Sequence, residues 1–279
     1  MNLVKLVTMV KDEVDIVKDW IIYHGKMFGY HNLYIVDNYS TDGTYDVCRY
    51  YEKNHGMYLT RRESYGDKGS HMHHIIKDIG PRNYKYAWPI DMDELVISYD
   101  INQHTVSPVN VVPYLNKIYE QTDYGVYKAN YIGTKITREG GHDQAIRQVN
   151  RGTYHNYGAS AKTFYRYSEF KTTDHGNHHI HGNHSSTDKY METSLCLVHY
   201  HARSLEQVKQ KTINNCTGFG YSTQDVDSLK QLLANNPSTP GCHHVDRMIK
   251  ILENKFTICH DSTDTGVDLT PVIKWVSDP

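Results

Sequence analysis

The chain lacks an excess of charge of either sign: across 279 residues, 30 Lys and Arg stand against 32 Asp and Glu. Proteins that grip nucleic acid carry a basic footprint, and its absence excludes a general nucleic-acid binder. A small anionic ligand held at one local site remains compatible. Long apolar runs are missing too. No stretch reaches the roughly 18 residues that a membrane helix needs. The opening MNLVKLVTMVKDE is too short in its apolar part for a secretory signal and meets acids at once, so a soluble, cytoplasmic protein is expected. Cysteine is sparse: Cys48, Cys196, Cys216, Cys242 and Cys259 form no C-x-x-C pair, which reads as reduced thiols and not as a disulfide framework. Only five Phe are present, against 24 Tyr and 19 His. Tyr and His join an apolar body to a polar tip, which suits a protein that handles polar rings.

No internal repeat breaks the chain, and its length fits one large α/β domain or two small ones. LVKLVTMV (3–10) is almost wholly apolar, as a strand buried on both faces must be. Val14, Val17, Trp20, Ile21, His24, Met27 and Phe28 then recur at helical spacing, with Asp12 or Asp15 as cap and Gly29 as stop. NLYIVD (32–37) is a second strand, NYSTDGT a turn, 44–55 a helix and MYLT (57–60) a third strand. HMHHIIKDIG (71–80) is a helix, and YKYAWPID (84–91) a strand. This alternation predicts a parallel, doubly wound half-sheet over 1–100, with ligands beyond the carboxyl ends of its strands. Asp37 and Asp91 end two of those strands. In 101–203, strands near 124–133, 161–167 and 194–202 lack regular crossovers, so the second half is mixed. Region 204–279 reads as three amphipathic helices broken by NNPSTPG. The fold class expected is a mixed α/β sheet flanked by helices, in a single domain with C-terminal helices.

The informative stretch is YAWPIDMDELVI (86–97), where Asp91, Asp93 and Glu94 sit between two apolar runs. On an extended segment, Asp91 and Asp93 share a side. Two hard carboxylates so placed can hold Mg²⁺ or Mn²⁺, with a substrate diphosphate completing the shell. The cation and the diphosphate would then neutralise acids carried to the edge of the core. A capped turn would explain Asp91 equally simply.

Four segments together resemble glycosyltransferases of the GT-A fold, close to families 2 and 92 and to bacterial and large-DNA-virus enzymes that build glycans. They are VKDEVDIVKDWIIYHGKMFGYHNLYIVDNYSTDGT, WPIDMDELVI, AKTFYRY and LVHYHARSLEQVKQK. Val198, His201 and Arg203 depart from the last pattern. The resemblance implies a Rossmann-like GT-A domain. Its reaction is inverting transfer of a sugar from a UDP-sugar to a hydroxyl of a glycan acceptor.

The resemblance also assigns residues. Asp93 is the direct metal ligand, with Asp91 on the ribose or on a metal-bound water, and Glu94 as an anchor. His199 returns to the metal, with His201 as fallback. Imidazole favours Mn²⁺ over Mg²⁺. Val10, Lys11, Asp12, Asp37 and Met92 line the nucleotide, and Lys162 and Arg203 neutralise the leaving diphosphate. The general base is Asp174, with Asp143 and Glu139 as alternatives. The His-rich run DHGNHHIHGNH (174–184) permits a zinc site but fits better as a loop over the substrates. Two other classes stay open. One is a sugar-nucleotide nucleotidyltransferase, which needs a Gly-rich phosphate loop that VTMVKDEVD does not supply. The other is a carbohydrate-binding protein without turnover.

Overall fold

The structure, a computed structural model, describes residues 1–134, 145–201, 203–239, 241–256 and 266–278. The chain begins as β1 (Asn2–Val10), α1 (Val14–Phe28), β2 (Leu33–Asp37), α2 (Thr44–His55), β3 (Tyr58–Arg61), α3 (Lys68–Asp78) and β4 (Tyr84–Pro89). β5 (Glu94–Asp100), β6 (Thr105–Ser107), α4 (Val111–Gln121), β7 (Val126–Thr134), α5 (Ala145–Gln148), β8 (Arg151–His155), β9 (Lys162–Arg166) and β10 (Met191–His199) follow. α6 (Leu205–Gly218), α7 (Val226–Asn235), α8 (Cys242–Leu252), β11 (Val267–Asp268) and α9 (Thr270–Ser277) complete it.

One sheet organises the molecule, in the order β3-β2-β1-β4-β9-β7-β10-β5-β6, with β8 and β11 branching from β7. β1 pairs in parallel with β2 and β4, and β2 with β3. Beyond β4 the directions mix: β9 is antiparallel to β4 and β7, and β10 is parallel to β7 but antiparallel to β5. The mixed sheet flanked by helices that the sequence led one to expect is therefore the one observed.

β1 shows why its run is continuous. Val4, Leu6 and Val10 enter one core, under α1, while Val7 and Met9 enter the other, under α3. Both faces are covered, so the strand has no polar side. α1 is fixed to the sheet by directional bonds as well as by packing. Trp20 Nε1 donates to Glu94 O at 2.9 Å and Tyr23 Oη to Val96 O at 2.7 Å. The helix stops at Gly29, whose φ of +88° suits glycine.

Its start differs from expectation. Neither Asp12 nor Asp15 caps it. Asp42 does, accepting from Val14 N at 3.0 Å while its other oxygen accepts from Thr44 N at 2.9 Å, so one carboxylate serves the first turns of α1 and α2. Asp12 instead turns its Oδ1 to Thr41 N, at 2.7 Å. The C-terminal helices α6, α7 and α8 enclose a small core of their own, around Cys216, Leu229, Val245 and Met248. Among the described residues, no helix is long and apolar enough to cross a membrane.

Candidate active site

The acids do not lie along an extended strand. β4 ends at Pro89, and Asp91-Met92-Asp93 is a turn closed by Asp91 N donating to Glu94 Oε2 at 2.8 Å and by Glu94 N to Asp91 O at 3.1 Å. The alternation that would place Asp91 and Asp93 on one side needs extended backbone, and the turn removes it. The two carboxylates consequently meet different partners.

Asp91 is held by two lysines, Lys68 from the start of α3 and Lys162 from the start of β9, the latter at 2.8 Å. Lys162 is 1% exposed and also reaches Glu94 Oε1, at 3.2 Å. Burial alone would raise the Asp91 carboxyl, but Lys162 and Lys68 outweigh it and hold the group well below the usual carboxylate range. Glu94, fully buried, goes the other way. Burial raises it more than Lys162 lowers it.

Asp93 is 1% exposed and gathers the second group. Its Oδ2 lies 2.5 Å from Lys211 Nζ, 3.4 Å from His199 Nε2 and 3.7 Å from His201 Nδ1. Here too Lys211 and His199 overcome burial and keep the carboxylate charged. Sheet register brings His199 to this place: antiparallel pairing of β10 with β5 sets His199 opposite Glu94, and Tyr200 N donates to Asp93 O at 2.8 Å. Lys211 comes from α6, which Ser204 caps by accepting from Gln207 N at 3.0 Å.

The ligand atoms of Asp93, His199 and His201 lie within 4.8 Å of one another, the one such group of three among the described residues. One carboxylate and two imidazoles suit a first-row divalent ion better than Mg²⁺, so the donor set fits Mn²⁺. His199 presents Nε2 directly. His201 is less free. Arg247 Nη1 donates to its Nε2 at 3.0 Å, which places the ring proton on the Nδ1 that faces Asp93. His201 would join a metal only if Arg247 withdraws. Asp91 stands outside this group.

These side chains border a cavity of about 430 Å³, closed on one side by Met9, Lys11 and Met92 and on the other by Asn214, Phe219 and His244 of the C-terminal helices. Lys68, Lys211 and the helical lid were not singled out from the sequence. Lys211 did have a signal, as the last lysine of LVHYHARSLEQVKQK; Lys68 had none.

Other expected residues take different places. Arg203 does not face the cavity. It is 1% exposed and clamps Glu13 at 2.5 Å and Asp15 at 2.6 Å, so its charge is already engaged. Asp37 is fully buried, pairs with Arg61 at 2.8 Å and accepts from Ser40 N, which holds the turn after β2. Arg61 in turn lies over the Tyr39 and Tyr45 rings. Val10 is buried at the end of β1, where its carbonyl accepts from Asn38 N. Lys11 lines the cavity while donating to Asn38 O at 2.9 Å. Asp12 accepts from Asn214 Nδ2 at 3.3 Å.

Asp174 shapes a loop. Its Oδ1 accepts from His179 N at 3.0 Å and its Oδ2 from Gly176 N at 3.1 Å, and it does not line the cavity. Asp143 and Glu139 lie outside the described residues. The loop histidines form no metal-binding group of three among the described residues. His175 and His178 line the cavity instead. The acids at the core's edge are therefore neutralised by the chain's own Lys68, Lys162 and Lys211, where the sequence pointed to a metal and a diphosphate.

No family model and no curated protein matches the chain. Among solved structures it is similar to S. aureus TarS 1-349, at 11% identity over 91% of this chain and 71% of that one, with a TM-score of 0.47. The same protein in complex with UDP-GlcNAc is similar at 12% identity over 91% and 72%, with a TM-score of 0.45. Glucosyl-3-phosphoglycerate synthase from Mycobacterium tuberculosis, in complex with Mg²⁺ and UDP, is similar at 17% identity over 47% of this chain and 44% of that one, with a TM-score of 0.32. At such scores the likeness carries no argument about activity, and the reading of the site rests on its own residues.

Proposed function

We propose that this chain is a metal-dependent, inverting glycosyltransferase of the GT-A type that moves a sugar from a UDP-sugar to a hydroxyl of a glycan acceptor. One observation carries the proposal. Asp93, His199 and His201 converge on a cavity that also receives Lys68 and Lys211, an arrangement suited to a divalent ion and a diphosphate side by side. The motif resemblance supplies the uridine and the sugar.

Asp93 and His199 would hold a divalent ion, which would supply a Lewis acid for charge on the diphosphate. The chain's own contribution is electrostatic. Lys68 and Lys211 sit at the cavity wall with charges already fixed in place, and such preorganised groups need no reorganisation as charge develops. Asp91 positions Lys68 and Lys162 from between them. With 28% of its side chain exposed, it keeps access to the ribose. Met92 and Lys11 complete the wall on the nucleotide side.

The test is a thermal-shift screen of nucleotides and nucleotide sugars with Mn²⁺, Mg²⁺ or EDTA. A ligand at a hundred times its Kd stabilises the native state by about 2.7 kcal/mol. Stabilisation by UDP in Mn²⁺ and none in EDTA is the expected result. Asp93→Ala should lose it while staying folded. Stabilisation by free glycans with no response to any nucleotide would favour a binding protein and overturn the proposal.

A further inference from the structure

A second cavity, of about 490 Å³, adjoins the first, and His178 and His199 line both. Its wall is made by Tyr131, His155, Tyr157 and Ser160, and no carboxylate, lysine or arginine lines it among the described residues. Tyr157 is half exposed. It packs edge-on to Tyr131 at 5.3 Å between ring centroids and stacks on His155 at 5.8 Å. Rigid aromatic faces with a few polar tips bind a ring that is apolar on its faces and polar at its rim, and that ring is a sugar. Among the described residues the wall offers no lysine or arginine to pair with a phosphate or carboxylate, which would therefore enter at a desolvation cost.

His178 stands where the cavities join. Its Nδ1 lies 2.8 Å from Ser160 O. A carbonyl only accepts, so Nδ1 carries the proton and Nε2 keeps its lone pair. Among the described residues nothing donates to that Nε2. Burial, assisted by Lys162, pushes the imidazole down to about 4, so it is neutral near pH 7. Gly176 makes room for the ring, since a Cβ there would lie 2.7 Å from His178 Cδ2.

Resting on the glycosyltransferase reading, we propose that this second cavity is the acceptor subsite, that it takes an uncharged sugar, and that His178 Nε2 is the base for the attacking hydroxyl. The hydroxyl proton passes to Nε2 as its oxygen bonds to C1 of the donor sugar. The C1–O bond to the diphosphate breaks, and its electron pair leaves with UDP. The imidazolium then returns the proton to water. The role expected of Asp174 falls to the imidazole four residues on, because Asp174 has both oxygens bound within its loop.

The experiment follows UDP release from the best UDP-sugar of the screen in Mn²⁺. The added acceptors are methyl glucoside, cellobiose and chitobiose on one side, and glucose 6-phosphate and glucuronate on the other. Neutral saccharides should accelerate release at least tenfold, and the anionic ones should not. Tyr157→Ala should raise the KM of the neutral acceptor about tenfold at constant kcat, the loss of one stacked ring. His178→Gln should lower kcat by about 10²–10⁴ with little change in acceptor KM, the usual size of general-base catalysis. Imidazole should restore turnover to His178→Ala. Acceleration by anionic acceptors only, or by none, overturns the proposal, as does full turnover in His178→Gln. If UDP and Mn²⁺ fail to stabilise the unmodified protein, the glycosyltransferase reading itself has failed. If they stabilise it while Tyr157→Ala and His178→Gln match the unmodified protein, the acceptor inference alone has failed.

Discussion

Lys211 Nζ and His199 Nε2 address the same oxygen, Asp93 Oδ2, at 2.5 and 3.4 Å. A divalent ion at His199 therefore competes with Lys211 for that oxygen. Lys211→Met leaves Asp93 buried with less compensation and should lower stability in EDTA by about 2–3 kcal/mol, the cost of a charged group that loses its partner. The same change should tighten Mn²⁺ binding without nucleotide, measured by electron paramagnetic resonance. Weaker Mn²⁺ binding in the variant would mean that Lys211 helps hold the ion and does not compete with it.

Arg203 tests what a buried guanidinium is for. It ties Glu13 and Asp15 together and donates to Tyr200 O at 3.1 Å, so α1, the loop after β10 and the start of α6 meet on one side chain. Arg203→Lys cannot span both carboxylates, and stability should fall by about 3–5 kcal/mol, as when a buried ion pair is broken from one side. UDP affinity measured well below the melting temperature should hold. Unchanged stability with collapsed UDP affinity would return Arg203 to the diphosphate.

His24 gives a pH dependence with a definite sign. It is fully buried, its Nδ1 donates to Trp20 O at 3.1 Å and its Nε2 accepts from Val96 N at 3.2 Å, so it must be neutral to bridge α1 and β5. Burial pushes its pKa from 6.5 to about 3. The folded state then binds fewer protons than the unfolded chain between these values. The stability His24 contributes is complete above pH 6.5 and drains as pH falls towards 3, by about 1.4 kcal/mol per unit. His24→Gln keeps a donor and an acceptor without titrating. Its melting temperature should fall less steeply over this range, and parallel curves would remove His24 from the explanation.

Gly69 holds the histidine loop against α3. A Cβ there would meet Thr173 O at 2.7 Å, a backbone atom with little freedom to yield, whereas one at Gly66 would find nothing closer than 3.9 Å. Gly69→Ala should destabilise by about 1–3 kcal/mol, as overpacking does, and shift the loop that carries His175 and His178. Gly66→Ala is the matched control. Equal melting temperatures in the two variants would show that the loop is not seated by this contact.

The parallel half-sheet was legible because its signals are local. A strand buried on both faces is mostly apolar, as β1 is apart from its buried Lys5 and Thr8, and a helix packed on a sheet must repeat its apolar residues, as α1 does to its stop at Gly29. The metal-site candidates Asp93, His199 and His201 came from resemblance, and antiparallel register between β5 and β10 is what sets them together. No spacing rule supplies that register.

Charge pairing was the part that only the tertiary structure decided. Asp42 caps α1 from the far side of β2, Arg203 spends its charge on Glu13 and Asp15, and Lys68, Lys162 and Lys211 neutralise the acidic turn from three separate elements. Apolar residues declare their burial through period. An ion pair has none, because Coulombic attraction acts through space between whichever groups the fold brings within a few ångströms. The sequence by itself determined the strands and helices of the parallel half-sheet and the acids that follow it. The packing of α6 and of the histidine loop over the sheet decided which cation answers which acid.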